Sequence, residues 1–185
     1  MNLNNEHLLK KSEIRNNVKS YRSSLDSDEV DWLSREINER LIGFVDFSKI
    51  KTAHIYLQMA EKKEIKTSNI FEYIWQNFPE IKTASWEPKN NKYVARWRKN
   101  HEWQQTVKNS FQYDLIVVPM LAFNKRGHRV GYGRGFYDKF LAEQTRATVL
   151  GLCYEAGQIQ NWQEDFHDIP MDVIITEEQI YQISC

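Results

Sequence analysis

The stretch DLIVVPMLAFNKRGHRVGYGRGFYDKFLAEQTRATVLGLC, residues 114–153, carries the strongest structural signals in this sequence. It opens with a continuous apolar run, Asp114 to Pro119, which is typical of a strand covered on both faces. A glycine-rich loop follows, and then a helix over about 136–145 and another buried strand over 148–153. Because strands here alternate with helices, the stretch predicts an α/β layered sheet whose strands are mostly parallel.

Hydrophobic spacing predicts the same alternation in the rest of the chain. The further elements are helices over 7–23 and 28–44, a helix capped by Ser68, and strands over 53–57, 83–86 and 172–176. Residues 92–108 interleave aromatic and basic side chains, which suits a hairpin or an excursion from the main sheet. The length favours a single domain over residues 1–185, with 1–6 as a loose tail.

Composition excludes several classes of protein. Hydrophobic residues make up 41% of the chain, which is too many for an intrinsically disordered protein. Lys plus Arg and Asp plus Glu both number 25, and this zero net charge argues against a generic nucleic-acid or membrane-surface binder. The longest apolar run, Leu115 to Phe123, is far shorter than the roughly 20 residues that span a bilayer. Without a secretory signal, and with only two cysteines, a cytoplasmic protein that lacks a disulfide framework is expected.

The glycine spacing indicates a site for an anion, since four of the seven glycines lie between 127 and 135. The Gly-x-Gly-x-Gly run over 131–135 lets backbone N–H groups converge at the start of a helix, where the dipole favours negative charge. Arg129 and Arg134 add two guanidinium groups that can grip phosphate. Asp138 follows on the first helical turn, and a carboxylate beside phosphates suits Mg²⁺. The plainer alternative is a glycine-rich turn in which the aspartate starts the helix.

Two other phosphate-binding motifs do not fit this loop. No Gly-Lys-Ser/Thr follows the glycines, which excludes a Walker A loop. Phe136 occupies the third glycine position of the Gly-x-Gly-x-x-Gly dinucleotide pattern, which excludes that motif as well.

The run FNKRGHRVGYGRGFYD, residues 123–138, closely resembles the signature of the 5-formyltetrahydrofolate cyclo-ligase family, whose members are also called methenyltetrahydrofolate synthetases. Three weaker elements follow in the family order. They are Lys11 and Arg15 four apart on a helix, Glu64-Ile-Lys-Thr67, and His167-Asp-Ile-Pro-Met-Asp172 ahead of Ile174-Ile-Thr-Glu177. The resemblance covers about residues 8–180. Asn124 and Phe136 depart from the Asp and Tyr that are usual in the family.

The resemblance implies a fold and a reaction. The fold is a three-layer αβα domain with a mostly parallel open sheet, similar to the sugar-phosphate isomerase and CoA-transferase group. The reaction is the ATP- and Mg²⁺-dependent cyclisation of 5-formyltetrahydrofolate to 5,10-methenyltetrahydrofolate, with release of ADP and phosphate through a phosphorylated formyl (imidate phosphate) intermediate. The implied partners are 5-formyltetrahydrofolate and ATP, without nucleic acid or membrane, and a monomer is expected.

The resemblance also assigns site residues. The catalytic residues it implies are Lys11, Arg134 and Tyr137. The ATP-binding residues are Lys11, Arg15, Arg129, Val130, Gly131, Tyr132, Gly133, Arg134, Gly135, Phe136 and Tyr137. The substrate-binding residues are Met59, Glu64, Tyr132, Gly133, Arg134, Gly135 and Phe136. The metal ligands are Asp138 and Asp172.

Each assignment has a plainer alternative. Lys11 and Arg15 would form a solvated helix face, Glu64 an exposed acid in a lysine-rich loop, and Asp172 a strand-start or turn residue. The aromatic residues of the glycine loop would be ordinary packing. The pair His167-Asp168 is interpreted as structural, because no serine or cysteine is tied to it.

Other functions remain open from the residues alone. A sugar-phosphate or CoA-ester enzyme could reuse the same fold and phosphate cradle, and it would not need ATP. A non-catalytic folate- or nucleotide-binding regulator could keep the pocket, and only turnover separates it from an enzyme. Residues 92–103 could meet the glutamate tail of folate or form a solvated hairpin face, whereas a nucleic-acid module there is disfavoured by the zero net charge.

Overall fold

The computed structural model describes residues 8–89, 92–99, 102–106 and 112–183, so the expected tail over 1–6 lies outside the described residues. Four α-helices and ten strands make up this part of the chain. The helices are α1 (Lys11–Ser24), α2 (Ser27–Phe44), α3 (Ser68–Asn77) and α4 (Phe136–Ala142). The strands are β1 (Thr52–Ile55), β2 (Lys82–Lys89), β3 (Lys92–Lys99), β4 (Glu102–Thr106), β5 (Leu115–Pro119), β6 (Ala122–Phe123), β7 (Arg129–Val130), β8 (Thr148–Leu152), β9 (Val173–Ile175) and β10 (Ile180–Gln182).

Eight of these strands form one sheet with the order β10-β9-β8-β5-β1-β2-β3-β4. The five strands from β9 to β2 run parallel to their neighbours, and β10, β3 and β4 add antiparallel edges. The prediction of a mostly parallel α/β sheet is therefore confirmed. Strands β3 and β4 fall within 92–108, so this stretch contains a hairpin that widens the main sheet, although its side chains lie outside the description.

Both faces of the sheet are covered, and the alternation of side chains along β5 shows how. Leu115 and Val117 pack on one face with apolar residues of α2 and α3. Ile116 and Val118 pack on the opposite face, where Phe140 of α4 covers them. A strand buried on both faces needs an apolar residue at every position, which explains its continuous apolar run. The sheet between these helices forms the three layers that the family resemblance predicts.

Helix α1 lies against the small two-stranded sheet of β6 and β7. Its buried stripe, Ile14 and Val18, packs with Val130 of β7 and with Trp162. The neighbouring basic side of α1 consequently lies beside the glycine loop that follows β7. This small sheet was not predicted, because two-residue strands are too short to show a hydrophobic period.

The helix boundaries differ from the predicted ones by a few residues. Helix α2 begins one residue early, and its start is set by a reciprocal capping box. The Glu29 N–H donates to the Asp26 carboxylate at 2.8 Å, and the Asp26 N–H donates back to the Glu29 carboxylate at 2.7 Å. Helix α4 ends at Ala142 rather than 145, because the Glu143 and Gln144 N–H groups bond three residues back in a tight last turn.

Candidate active site

A cavity of about 370 Å³ opens where the central parallel strands end. Tyr56 and Leu57 line it directly after β1, and Pro119 lines it at the end of β5. Helix α1, the glycine loop and residues 165–168 supply other walls. In open α/β sheets this carboxyl edge is where ligands bind, so the cavity lies at the position that the fold itself favours.

The glycine loop needs glycine at a specific position because of its backbone and its neighbour. Gly133 has a φ of 88°, a left-handed conformation that side chains disfavour. A Cβ there would also lie 3.2 Å from the Arg15 Cζ. The Arg15 Nε donates to the Gly131 carbonyl at 2.8 Å, so helix α1 and the loop are joined directly. The loop therefore presents its backbone to the cavity with an arginine alongside.

Lys11, the first residue of α1, is held by two carboxylates that also line the cavity. Its ammonium donates to Asp165 at 2.7 Å and to Asp168 at 2.5 Å. Burial acts to lower the pKa of Lys11, but the two aspartates outweigh it and raise that pKa. Lys11 is therefore charged and oriented toward the cavity before any ligand binds.

Arg129 is buried, and its guanidinium is already engaged. It donates to the Asp138 carboxylate at 2.5 Å and to the Ile169 carbonyl at 2.7 Å. Burial lowers the pKa of Arg129, whereas Asp138 acts in the opposite direction. Arg129 thus orients Asp138 beside the cavity, and a phosphate that bound Arg129 would have to share its guanidinium with Asp138. Arg134 differs, because it is exposed and forms no hydrogen bond or ion pair within the described part of the chain.

The cavity is also lined by a buried acid. Glu64 is only 2% exposed, and one of its carboxylate oxygens accepts the Met59 N–H at 2.6 Å. The other oxygen, Oε1, is buried and makes no hydrogen bond of standard geometry with the described residues, although the Tyr132 hydroxyl lies close enough to the carboxylate to lower its pKa. Burial raises the pKa of the Glu64 carboxyl. This orphaned acceptor is the group that a ligand N–H could satisfy.

Aromatic rings form another wall of the same cavity. The Trp86 and Phe136 ring centroids lie 6.0 Å apart, and those of Phe136 and Tyr137 lie 5.1 Å apart. Behind the wall His54 is completely buried, with its ring centroid 4.8 Å from that of Phe140. Neither imidazole nitrogen of His54 has a hydrogen-bond partner among the described residues, and burial lowers its pKa to about 3. The wall suits a flat ring, and the neutral histidine supports it from behind.

The structure brings nearly all of the sequence-predicted site residues together around this one cavity. They are Lys11, Arg15, Met59, Glu64, Arg129, Val130, Gly131, Tyr132, Gly133, Arg134, Gly135, Phe136, Tyr137 and Asp138. Asp172 is the exception, because it does not line the cavity. Its carboxylate accepts the Val149 N–H at 2.7 Å, directly before β9 begins. This contact corresponds to the strand-start alternative, since the side chain joins β8 to β9.

Sequence reasoning missed several residues that line the cavity. They are Tyr56, Leu57, Lys62, Trp86, Pro119, Asp165 and Asp168. Tyr56, Leu57 and Pro119 could have been found from the rule that ligands bind at the carboxyl ends of parallel strands. The sequence holds no comparable signal for Asp165 and Asp168, and interpreting Asp168 as purely structural overlooked its contact with the cavity.

One of the two departures from the family pattern has a structural explanation. Asn124 is buried and does not line the cavity. Its carbonyl oxygen accepts the Arg126 and His128 N–H groups at 3.0 and 3.1 Å, and its amide donates to Glu164 at 2.5 Å. An aspartate could shape the same turn, but it could not donate to Glu164. Asn124 therefore suits the acid that faces it here.

These features define an α/β protein that places a cationic, glycine-rich site beside an aromatic pocket with a buried acid. A model of the 5-formyltetrahydrofolate cyclo-ligase family matches residues 8–177. The chain belongs to this family.

Named relatives match over most of their length. They include 5-formyltetrahydrofolate cyclo-ligases from Mycoplasma pneumoniae (28% identical, covering 91% of this chain and 99% of that protein) and Haemophilus influenzae (22%, covering 90% and 97%). Two solved 5,10-methenyltetrahydrofolate synthetases share the fold. The M. pneumoniae structure has a TM-score of 0.74 at 24% identity, and the match covers 91% of this chain and 99% of the M. pneumoniae chain. The Aquifex aeolicus structure has a TM-score of 0.76 at 23% identity, and the match covers 96% of this chain and 94% of the A. aeolicus chain. No helix within the described residues is long and apolar enough to cross a membrane.

Proposed function

We propose that this protein catalyses the ATP- and Mg²⁺-dependent cyclisation of 5-formyltetrahydrofolate to 5,10-methenyltetrahydrofolate, with release of ADP and phosphate. The observation that carries the proposal is the arrangement of one cavity. Its lining brings the cations Lys11 and Arg15 and the glycine loop together with the buried Glu64 acceptor and a set of aromatic rings. A reaction that joins a nucleoside triphosphate to a flat heterocycle with N–H donors needs both groups of residues.

The proposed chemistry proceeds in two displacements. The formyl oxygen attacks the γ-phosphorus of ATP, the bond to the β-phosphate oxygen breaks, and ADP leaves. The N10 amine then attacks the formyl carbon, the carbon–oxygen bond breaks, and phosphate leaves while N10 loses its proton. An N-formyl oxygen is a poor leaving group until it is phosphorylated, which explains the need for ATP.

The protein's contribution to this chemistry is mainly positioning and charge. Lys11, Arg15 and Arg134 would neutralise the phosphate oxygens, and the backbone of the glycine loop would bind them. Tyr137 lines the cavity, where it would orient the formyl group against the phosphorus. Among the described residues that line the cavity no nucleophile–base pair stands out, and the proposed reaction requires none.

Magnesium fits the carboxylates at the phosphate end, within limits. Asp138 and Asp168 both line the cavity and both lie near Arg129, which their charges affect. No group of three His, Cys, Asp or Glu side chains that could hold a metal occurs among the described residues. Mg²⁺ bound to nucleotide commonly uses only one or two protein carboxylates, so these two residues would suffice. When bound, the ion would offset charge on the phosphates.

The substrate end suits a pterin ring. Glu64 Oε1 makes no hydrogen bond of standard geometry with the described residues, and a carboxylate is a natural acceptor for the pterin N–H groups. The Trp86 and Phe136 rings line the same cavity, where the flat heterocycle would stack. The proposal also includes a monomer acting in the cytoplasm, as expected for an enzyme of this size with small diffusible substrates.

The test is formation of methenyltetrahydrofolate, followed by its absorbance. Purified protein is mixed with 5-formyltetrahydrofolate and Mg²⁺, with and without ATP. A signal that requires ATP supports the proposal. Binding of both ligands without product would indicate the regulator, and turnover of a sugar phosphate or CoA ester without ATP would indicate an enzyme of the wider fold group.

A further inference from the structure

We infer that Arg22, which does not line the cavity, is a positioning residue for its substrate end; the inference rests on the proposed function. Arg22 belongs to the last turn of α1 and is only 4% exposed. Its Nη2 donates to the Met120 carbonyl at 2.6 Å, and its Nη1 donates to the Tyr132 hydroxyl at 3.2 Å. Because Tyr132 lines the cavity, the buried guanidinium links the protein interior to the cavity wall.

Arg22 extends a line of cations along one side of α1. Lys11, Arg15 and Arg22 are spaced so that they share a helix face. At about 1.5 Å per residue, roughly 16 Å of helix separates Lys11 from Arg22. Lys11 and Arg15 serve the phosphate end, whereas Arg22 brings a positive charge to the end where the substrate is proposed to bind.

The charge of Arg22 acts on Glu64. Burial raises the pKa of Glu64, whereas a backbone N–H, the Tyr132 hydroxyl and the charges of Arg22 and Lys62 lower it. Tyr56 also faces Glu64, and burial raises its pKa, so that it stays neutral. Lys62 is exposed, so water screens its charge, but Arg22 is buried and its field is screened much less. Of these two cations, Arg22 is therefore the one whose charge acts more strongly to lower the pKa of Glu64.

Arg22 also fixes the Tyr132 ring. The guanidinium holds the hydroxyl, and the Lys62 ammonium lies 4.5 Å from the ring centroid. The guanidinium carbon also lies 5.3 Å from the Tyr154 ring centroid, which limits its own movement. A side chain whose partners are themselves held in place keeps a binding site in one geometry. Loss of Arg22 would release the ring and the charge together.

The test measures equilibrium binding of 5-formyltetrahydrofolate to the full chain at several pH values. Arg22→Gln removes the positive charge and keeps an amide donor for the Met120 carbonyl, whereas Arg22→Lys keeps the charge. Lys19→Met is the matched control, because it removes an exposed charge from the same helix. We expect Arg22→Gln to weaken binding roughly ten- to hundred-fold, the range for a lost hydrogen bond to a charged group. Affinity should fall as pH drops through the pKa of Glu64, so Arg22→Gln should move this midpoint upward.

Arg22→Lys should restore the midpoint, and Lys19→Met should change neither quantity. The kcat at saturating folate and ATP should stay near wild type in Arg22→Gln, because the effect is on binding. Wild-type affinity and midpoint in a folded Arg22→Gln variant would overturn the inference. If neither Arg22 variant folds, Tyr132→Phe decides, since unchanged binding there would show that the Arg22–Tyr132 contact does not act on the site. Failure of the wild-type chain to bind 5-formyltetrahydrofolate would instead refute the proposed function.

Discussion

Replacement of the buried His54 should change how the stability of this protein depends on pH. His54 is completely buried among aromatic rings, and neither of its nitrogens has a hydrogen-bond partner among the described residues. Burial lowers its pKa in the folded state to about 3, from an ordinary value of 6.5 for a solvated histidine. Below about pH 6.5 the unfolded chain binds a proton there that the folded chain does not, so stability falls as pH falls.

The size of the effect follows from the two pKa values. Each pH unit between them is equivalent to about 1.4 kcal/mol. The free energy of unfolding should therefore fall by about 2 kcal/mol by pH ~5, and by roughly 5 kcal/mol by pH ~3, through this group alone. This is a large share of the ~5–15 kcal/mol that stabilises a typical domain. The loss of stability through His54 occurs as pH falls below about 6.5, the pKa of the unfolded chain; above this pH His54 is neutral in both states and costs no stability.

His54→Leu keeps a similar volume and removes the titrating group. Its free energy of unfolding should fall less than that of the wild type between neutral pH and pH ~5, by about 2 kcal/mol. Urea denaturation followed by tryptophan fluorescence at each pH measures this difference, and carboxylates that titrate in both proteins cancel. The exposed His167 provides a matched control, since His167→Gln should follow the wild type. Equal losses in wild type and His54→Leu would refute the assignment of a depressed pKa to His54.

Three further predictions concern the site. Asp138→Ala should abolish turnover and also lower the thermal unfolding midpoint, because it leaves the buried Arg129 guanidinium without its carboxylate partner, and full activity in the folded variant would remove this residue from the proposed metal role. Asp168→Asn should raise the KM for ATP several-fold in steady-state kinetics, because Lys11 loses a charged partner. Asp172→Asn should leave that KM unchanged and lower the free energy of unfolding in urea by about 1 kcal/mol. Gly133→Ala should cost about 1 kcal/mol or more because its φ of 88° strains any side chain, and it should weaken ATP binding by calorimetry.

Local sequence signals predicted much of the fold because they arise from short-range chemistry. The apolar run of β5 indicates a strand covered on both faces whatever its neighbours are, and the Asp26–Glu29 box starts α2 through bonds between residues three apart. The glycine spacing is similar, because a left-handed φ at Gly133 is a property of one residue.

The partners of charged side chains were beyond prediction from the sequence. Arg129 looks like a phosphate-gripping cation next to the glycines, but the fold buries it against Asp138 and the Ile169 carbonyl. Arg22 attracts no notice in the sequence, because a helix arginine is usually solvated. Its contacts come from residues 98 and 110 positions away, which only the folded chain brings near.

The pair Asp168 and Asp172 shows where the sequence reached its limit. The two acids lie four residues apart, and the sequence analysis placed the wrong one at the cavity: it assigned Asp172 to the site and interpreted Asp168 as structural, whereas Asp168 lines the cavity and Asp172 does not. Asp172 directly precedes β9, so the pairing of β9 with β8 ties its carboxylate to Val149. Asp168 lies in the loop that returns to α1, where it meets Lys11. Periodicity and glycine spacing therefore determined the elements and the glycine loop, whereas long-range pairing of strands and helices decided which charged groups face the cavity, because such contacts leave no local pattern.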